Sequence, residues 1–148
     1  MTIQILIGSL MIVFTTVIHA GGMMIGMRLF ISTWGRRLGE GSMLSRALLM
    51  AGLILILVVA TLIEAGVWAG AYSVIGAIPD FEPALYFSMV TYTTLGFGDI
   101  VLTDDWRLLS SIEAANGIIM FAWTTALIVV AIHQVSRTLQ KFDAVDKK

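Results

Sequence analysis

The sequence predicts an all-α membrane protein with three transmembrane helices and one short re-entrant helix. Of its 148 residues, 58% are hydrophobic and only 13% are charged, whereas soluble domains carry about 25% charged residues. A single globular core of this size cannot bury so many apolar side chains, so many of them must face lipid. Three segments are apolar over about 20 residues, the length that a spanning helix needs, and a fourth is shorter.

The apolar segments follow one another along the chain. The long ones run roughly from Ile3 to Met27, from Ala47 to Tyr72 and from Leu108 to Val135. The short stretch from Pro83 to Thr93 cannot cross a bilayer, and a re-entrant segment is tolerated only where protein or a water-filled cavity surrounds it. A signal peptide is the alternative for the first segment, but the positive start is missing and the apolar run is too long.

These segments divide the chain into an N-terminal transmembrane helix (1–27), a linker (28–46), a domain of two spans with the re-entrant helix (47–135) and a tail (136–148). Cytoplasmic loops are enriched in arginine and lysine. We therefore expect the linker and the tail in the cytoplasm and the N-terminus outside, in a multi-pass protein of the cell inner (plasma) membrane. The basic residues are Arg28, Arg36, Arg37, Arg46, Arg137, Lys141, Lys147 and Lys148, against Glu40 in the linker; Asp80, Glu82, Asp99, Asp104 and Asp105 outweigh Arg107 outside.

The composition excludes several classes of function. The net charge of -1 gives no indication of nucleic-acid binding, and the absence of cysteine excludes disulfides and thiolate metal sites. His19 and His133 are too far apart in the sequence to form a local metal motif. No span carries the arginine ladder of a voltage sensor, and no set of residues has a catalytic pattern. We expect neither an enzyme nor a bound cofactor.

The segment Thr91-Tyr92-Thr93-Thr94-Leu95-Gly96-Phe97-Gly98-Asp99 overlaps the end of the short apolar stretch. It resembles the potassium-channel signature T-x-G-[Y/F]-G-D, and an ordinary Gly-Phe-Gly turn between two helices is the alternative. The resemblance covers roughly Ala47 to His133. Within it the chain is similar to small bacterial channels of the two-span pore class, with an extra span in front, and the stretches 84–100 and 113–117 fit that group.

The resemblance implies a tetrameric pore with a selectivity filter at Thr94, Leu95, Gly96, Phe97 and Gly98. In such a filter, backbone carbonyls replace the hydration shell of potassium, here at Thr94, Leu95, Gly96 and Phe97. Gly96 and Gly98 permit positive φ at little steric cost, and the Thr94 hydroxyl adds the innermost oxygen. We expect Leu95 and Phe97 to turn away from the pore and wedge the loop against the pore helix, whose C-terminal end favours a cation.

The chain departs from the pattern of that family at three positions. Leu95 stands where valine is usual, which should leave the carbonyls unchanged. Phe97 stands where tyrosine is usual, so one hydrogen bond to the pore helix is lost. Val90 stands where some relatives carry a glutamate that braces the filter. The rigidity of this filter therefore needs another source.

Glu64 and Glu113 are candidates to support the filter from behind. A carboxyl group within a span is costly and by default faces protein or water, and both residues lie at about the depth expected for the filter. We hypothesise that Glu64, with or without Glu113, hydrogen-bonds polar groups behind the filter, such as Tyr92 or Thr93, and replaces the missing brace. Trp68 lies one turn beyond Glu64 on the same face and would help to clamp the pore helix. The alternative is that Glu64 reaches to the outer interface.

Several residues have two interpretations. In the family that the motif resembles, Asp99 bonds a pore-helix aromatic residue, here Tyr86; otherwise it is a solvated carboxylate at the pore mouth. Gly117 is either a hinge of the inner helix or a small residue that allows close packing. His19, deep in the first span, is either a pH sensor or a buried packing residue. By family register, the residues that line the cavity below the filter are Ile118, Phe121 and Thr125.

The predicted function is passive, potassium-selective conduction by a homotetramer whose partners are membrane lipid and potassium ions, and no nucleic acid. Potassium is then the permeant ion and no cofactor is required. Two alternatives stay open: a weakly selective monovalent cation channel of the same architecture, and a non-conducting membrane subunit that borrows the pore fold.

Overall fold

The computed structural model describes residues 1–37 and 43–146, and within these ranges the chain forms four α-helices and no β-strand. The helices are α1 (Thr2–Arg37), α2 (Met43–Val74), α3 (Phe81–Tyr92) and α4 (Arg107–Asp146). Three segments are long and apolar enough to cross a membrane, namely Thr2–Thr33, Leu44–Val74 and Arg107–Arg137. The predicted all-α membrane fold, with one short helix between the second and third spans, is confirmed.

The first two helices extend further than the apolar runs that predicted them. α1 continues to Arg37 and α2 begins at Met43, so both helices reach into the segment 28–46. Residues 38–42, which include Glu40, lie outside the described residues. The length of an apolar run predicts the part of a helix that lies in hydrocarbon. It does not predict the polar turns that extend the helix outside the hydrocarbon layer.

The third and fourth helices also differ slightly from the expected bounds. α3 spans Phe81–Tyr92, which is shifted toward the N-terminus relative to the apolar stretch 83–93. Glu82 lies in its first turn, where a negative charge is favourable to the helix dipole. α4 continues to Asp146 through most of the segment assigned to the tail, and Lys147 and Lys148 lie outside the described residues.

α1 and α3 each contact both α2 and α4, but in the described part of the chain no Cα atom of α1 lies within 8 Å of a Cα atom of α3. α1 approaches α2 closely at the GxxxG pattern of Gly22 and Gly26. A Cβ atom added to Gly22 would lie 2.9 Å from Ala60, and one added to Gly26 would lie 3.0 Å from Leu53. The GxxxG pattern of α2, Gly66 and Gly70, has no such neighbour within the described chain.

One of two apolar clusters surrounds α3 and holds it against α2 and α4. Trp68, Tyr72 and Tyr92 are fully buried there, and Phe87 packs edge-on to Tyr72 with ring centroids 5.3 Å apart. Large aromatic side chains of this kind contribute most of the apolar area that a core buries. Packing on two sides therefore fixes α3 in place.

Candidate functional site

The end of α3 is closed by a Schellman motif. The Leu95 amide donates to the Val90 carbonyl at 2.9 Å, and the Thr94 amide donates to the Thr91 carbonyl at 2.9 Å. These are the two hydrogen bonds that define the motif, and they place Thr94 at the position that glycine usually occupies. The loop that follows the pore helix is therefore anchored to the last turn of that helix by its own backbone.

Thr94 has φ 61°, and it is the only non-glycine residue with positive φ in the described chain. A β-branched residue in this region is a true outlier, and the left-handed conformation costs about 1–2 kcal/mol for an L-residue. Glycine would avoid that cost. Strained residues of this kind concentrate at functional sites, so the threonine side chain is the feature to explain.

Left-handed backbone recurs at every second residue after α3. Thr94, Gly96 and Gly98 have φ 61°, 56° and 79°, whereas Leu95 and Phe97 do not have positive φ. The positive φ expected for the two glycines is confirmed, and that of Thr94 was missed. Alternation of φ sign along consecutive residues allows their carbonyl groups to point to one side, which is the arrangement that a carbonyl-lined ion site needs.

The side chains of Leu95 and Phe97 are 59% and 64% exposed. The expected packing of these two residues against the pore helix is absent within this chain. Between the loop, α3 and α4 there is instead a cavity of about 310 Å³, lined by residues that include Phe87, Val90 and Ala114. The single chain thus has a cavity beside the loop and two large apolar side chains, Leu95 and Phe97, that are exposed.

Asp99 and Tyr86 form the hydrogen bond that the resemblance implied. The Tyr86 hydroxyl donates to Oδ2 of Asp99 at 2.7 Å. This hydrogen bond lowers the pKa of the Asp99 carboxyl and raises the pKa of the Tyr86 hydroxyl, because it favours the charged acid and the neutral phenol. The contact ties the residue that follows the glycine-rich loop to the pore helix.

Glu64 is fully buried and does not reach the outer interface. Its Oε2 accepts a hydrogen bond from the Tyr92 hydroxyl at 2.6 Å, so the structure brings Glu64 to the end of α3. It does not bring Glu64 to Thr93, whose hydroxyl donates to the Met89 carbonyl at 2.7 Å. Trp68 is also fully buried, and its indole N–H has no hydrogen-bond partner among the described residues.

His19 extends the Glu64 contact to a third and a fourth helix. Its Nδ1 lies 2.9 Å from Oε1 of Glu64, and its Nε2 lies 3.1 Å from the Thr124 hydroxyl. The Trp123 ring lies beside the imidazole, with centroids 5.5 Å apart. Of the two interpretations of His19, the buried and satisfied residue fits this environment. His133 is exposed and belongs to no such cluster.

Glu113 braces the middle of α3 rather than its end. Its carboxyl lies 2.5 Å from the Ser88 hydroxyl and accepts a hydrogen bond from the Tyr72 hydroxyl at 2.6 Å. The Ser88 hydroxyl also lies 2.8 Å from the Ala65 carbonyl. The hydrogen-bond partners of Glu113 are thus Ser88 and Tyr72 rather than the suggested Tyr92 or Thr93, and its role as a support of the filter stays a prediction.

Gly117 lies directly against the end of the pore helix. A Cβ atom at this position would be 1.9 Å from the Tyr92 carbonyl oxygen, which is far inside van der Waals contact. The close-packing interpretation of Gly117 is thus satisfied by a specific neighbour. Ile118, Phe121 and Thr125 are exposed on α4, and the Phe121 ring lies edge-on to Tyr92 at 6.2 Å.

Sequence reasoning missed several residues that hydrogen-bond the buried polar side chains. The signal that could have found them is that each is itself a polar residue within an apolar helix. Asn116 donates to the Thr15 hydroxyl at 2.8 Å, which links α4 to α1. Ser88 and Tyr72 donate to the Glu113 carboxyl, and the Thr124 hydroxyl pairs with Nε2 of His19. Polar groups inside a membrane are costly unless paired, so each such residue implies a partner, but the sequence does not say which one.

Comparison with known proteins gives one match. The sequence model of the family described as "Ion channel" matches residues 56–134, which is more than half of the chain and includes most of α2, all of α3 and much of α4. No curated protein and no solved structure matches the chain.

Proposed function

Because this chain belongs to the ion-channel family, we propose that it is one subunit of a fourfold channel that conducts potassium selectively and passively. The match of the family covers residues 56–134, and the three long apolar helices make the chain a multi-pass membrane protein. Selectivity for potassium and assembly as a homotetramer are the two parts of the proposal that go beyond family membership.

One observation carries the potassium assignment: the left-handed backbone at Thr94, Gly96 and Gly98, directly after the pore helix. This alternation suits a column of carbonyl oxygens that would coordinate a dehydrated cation at Thr94, Leu95, Gly96 and Phe97. The sequence of the same five residues resembles the potassium filter. A strained threonine at the first position is consistent with a role for its hydroxyl as the innermost oxygen.

The proposed fourfold ring has a reason in the packing of the single chain. One filter strand cannot surround an ion, so several chains must each contribute one. The exposed Leu95 and Phe97 and the cavity of about 310 Å³ beside the loop are complementary features that a neighbouring copy would bring together. Burial of two large apolar side chains per subunit would contribute roughly 3–6 kcal/mol to assembly.

We also assign the orientation from charge. Placement of the N-terminus outside the cell puts Asp99, Asp104 and Asp105 at the outer mouth of the pore. Fourfold repetition of these carboxylates would raise the local concentration of cations there. The test is a cysteine in place of Arg36 or Asp104: the first should react only with a cytoplasmic reagent and the second only with an external one.

The decisive experiment is a flux assay on the purified protein in liposomes with potassium, rubidium and sodium. Selective flux of potassium and rubidium supports the proposal, whereas equal flux of sodium identifies a weakly selective cation channel. Absence of any flux from a fourfold assembly favours the non-conducting subunit. Gly96→Ala places a Cβ at φ 56° and should abolish flux while the helical content is unchanged.

A further inference from the structure

The helix α1 lies outside the segment 56–134 that the ion-channel family matches, yet it carries a polar side chain into that segment. We propose that His19 of α1 is a positioning residue for the filter. It holds the Glu64 carboxyl in the orientation in which that carboxyl receives the Tyr92 hydroxyl. The inference rests on the proposed function for its meaning, but its structural part can be tested without ion flux.

The two oxygens of the Glu64 carboxyl have separate partners. Oε1 faces His19 Nδ1 at 2.9 Å, and Oε2 accepts from the Tyr92 hydroxyl at 2.6 Å. The last torsion of a glutamate side chain is broad and has little preference of its own. When the imidazole is removed, the Glu64 carboxyl can rotate about this torsion. Oε2 then loses its hydrogen-bond geometry with the Tyr92 hydroxyl.

His19 is itself fixed at its second nitrogen. Nε2 lies 3.1 Å from the Thr124 hydroxyl of α4, and the Trp123 ring covers one side of the imidazole. A histidine ring is held in one orientation when both of its nitrogens have hydrogen-bond partners. The imidazole is therefore held by α4 and in turn holds a group of α2, although among the described residues no Cα atom of α1 lies within 8 Å of a Cα atom of α3.

Tyr92 is the place where this chain of contacts meets the filter. It is the last residue of α3, and its carbonyl oxygen lies against Gly117 of α4. The Schellman hydrogen bonds and the strained Thr94 follow within the next three residues. A shift of the tyrosine side chain therefore moves the turn that sets the start of the filter.

Substitutions at His19 can separate positioning from simple packing. The side-chain amide of asparagine resembles Nδ1 in its distance from the backbone, and that of glutamine resembles Nε2. His19→Asn thus keeps the contact to Glu64, His19→Gln keeps only the contact to Thr124, and His19→Leu keeps neither. A pure packing role would depend on side-chain volume and would not favour asparagine, the smallest of the three.

The matched control is Thr15→Val, one turn earlier on the same buried face of α1. Thr15 accepts a hydrogen bond from Asn116 of α4 but takes no part in the Glu64 contacts. Thr15→Val removes this buried hydrogen bond between α1 and α4 and should lower thermal stability. It should leave the filter unchanged, which distinguishes a weakened α1 from a misplaced carboxyl group.

The experiment measures two quantities in liposomes for the wild type and all four variants. They are the potassium-to-sodium permeability ratio and the hydrogen–deuterium exchange of the amides of Leu95 and Gly96, both of which donate to the Val90 carbonyl. We expect His19→Gln and His19→Leu to lower the ratio and to speed exchange by about tenfold, the factor for loss of one charged hydrogen bond. His19→Asn and Thr15→Val should match the wild type in both.

Equal values for His19→Asn and His19→Gln in both assays would overturn the inference, as would a His19→Leu variant that matches the wild type. If the leucine variant does not assemble, the comparison of asparagine with glutamine decides alone. A wild type without selective flux would refute the proposed function, and the exchange measurement would then still decide whether His19 positions the end of α3.

Discussion

The Cα atom of Gly117 in α4 lies directly against the carbonyl oxygen of Tyr92 at the end of α3. No side chain fits between them, because a Cβ atom would be 1.9 Å from that oxygen. The contact joins the N-terminal third of α4, the longest helix, to the last residue of α3, just before the left-handed turn at Thr94. Any change in the position of one of these two residues must therefore be accommodated by the other.

Gly117→Ala should destabilise the protein. Overpacking a tight contact costs about 1–3 kcal/mol, and here the opposing atom is backbone that cannot turn away. We expect a lower Tm in detergent and a disturbed filter. The control is Gly21→Ala in α1, where a Cβ meets no atom within 4 Å and alanine favours the helix by about 1 kcal/mol. An alanine at 117 that is as stable as the control would contradict the close contact.

Substitution of Thr94 by glycine should raise thermal stability and lower potassium selectivity. Thr94→Gly removes the cost of left-handed backbone, about 1–2 kcal/mol, so it should have a higher Tm than Thr94→Ala, which retains that cost. Both variants lose the hydroxyl and should lose potassium selectivity, whereas Thr94→Ser keeps both the hydroxyl and the selectivity. Thermal unfolding and permeability ratios measure the two effects separately. An alanine variant more stable than the glycine variant would show that the backbone is not strained.

Glu64→Gln and Glu64→Leu should differ sharply. Glutamine keeps the shape and an acceptor for the Tyr92 hydroxyl, whereas leucine leaves that buried hydroxyl without its partner at a cost of about 1–3 kcal/mol. We expect the leucine variant to lose thermal stability and selectivity, and the glutamine variant to retain most of both. If both conduct like the wild type, Glu64 does not support the filter.

The contact between Tyr86 and Asp99 predicts a pH dependence. The hydrogen bond lowers the pKa of Asp99, so its contribution is present above the ordinary carboxyl pKa and is lost as pH falls through the lowered pKa. Tyr86→Phe returns the pKa of Asp99 toward its usual range. Loss of potassium flux on external acidification should then begin at higher pH in the variant.

The control for this pH dependence is Asp104→Asn, which removes an exposed carboxylate that pairs with Arg107. It lies outside the Tyr86–Asp99 contact and should leave the acid midpoint where it is. An unchanged midpoint in Tyr86→Phe, with flux otherwise normal, would mean that protonation of Asp99 does not govern the response.

Sequence patterns predicted the fold and the left-handed glycines after α3 because both depend on local composition. Three apolar runs of sufficient length give three spans, and Gly96 and Gly98 after a short apolar stretch give positive φ; their role as a filter stays a prediction. The contact between Glu64 and Tyr92 was also within reach, since a carboxyl inside a span must find a polar group at its own depth.

What the sequence could not predict depends on which helices become neighbours. Glu113 was assigned to the end of the pore helix, but the rotation of α4 directs it to Ser88 and Tyr72. His19 had two interpretations until Glu64 and Thr124 were seen on either side of its ring. The strain at Thr94 was missed because the left-handed position is fixed by the last residue of the helix. The sequence does not define that last residue well enough to identify the position.

The partners of α1 also set an order of events during synthesis. Glu64 follows His19 by 45 residues, so an α1–α2 hairpin can enter the membrane with its imidazole and carboxyl already paired. Asn116 and Thr124 come 101 and 105 residues after their α1 partners, which at ribosomal speed means a wait of about 5–20 s. During that interval Thr15 and one nitrogen of His19 lack their final partners, and the arrival of α4 completes the bundle.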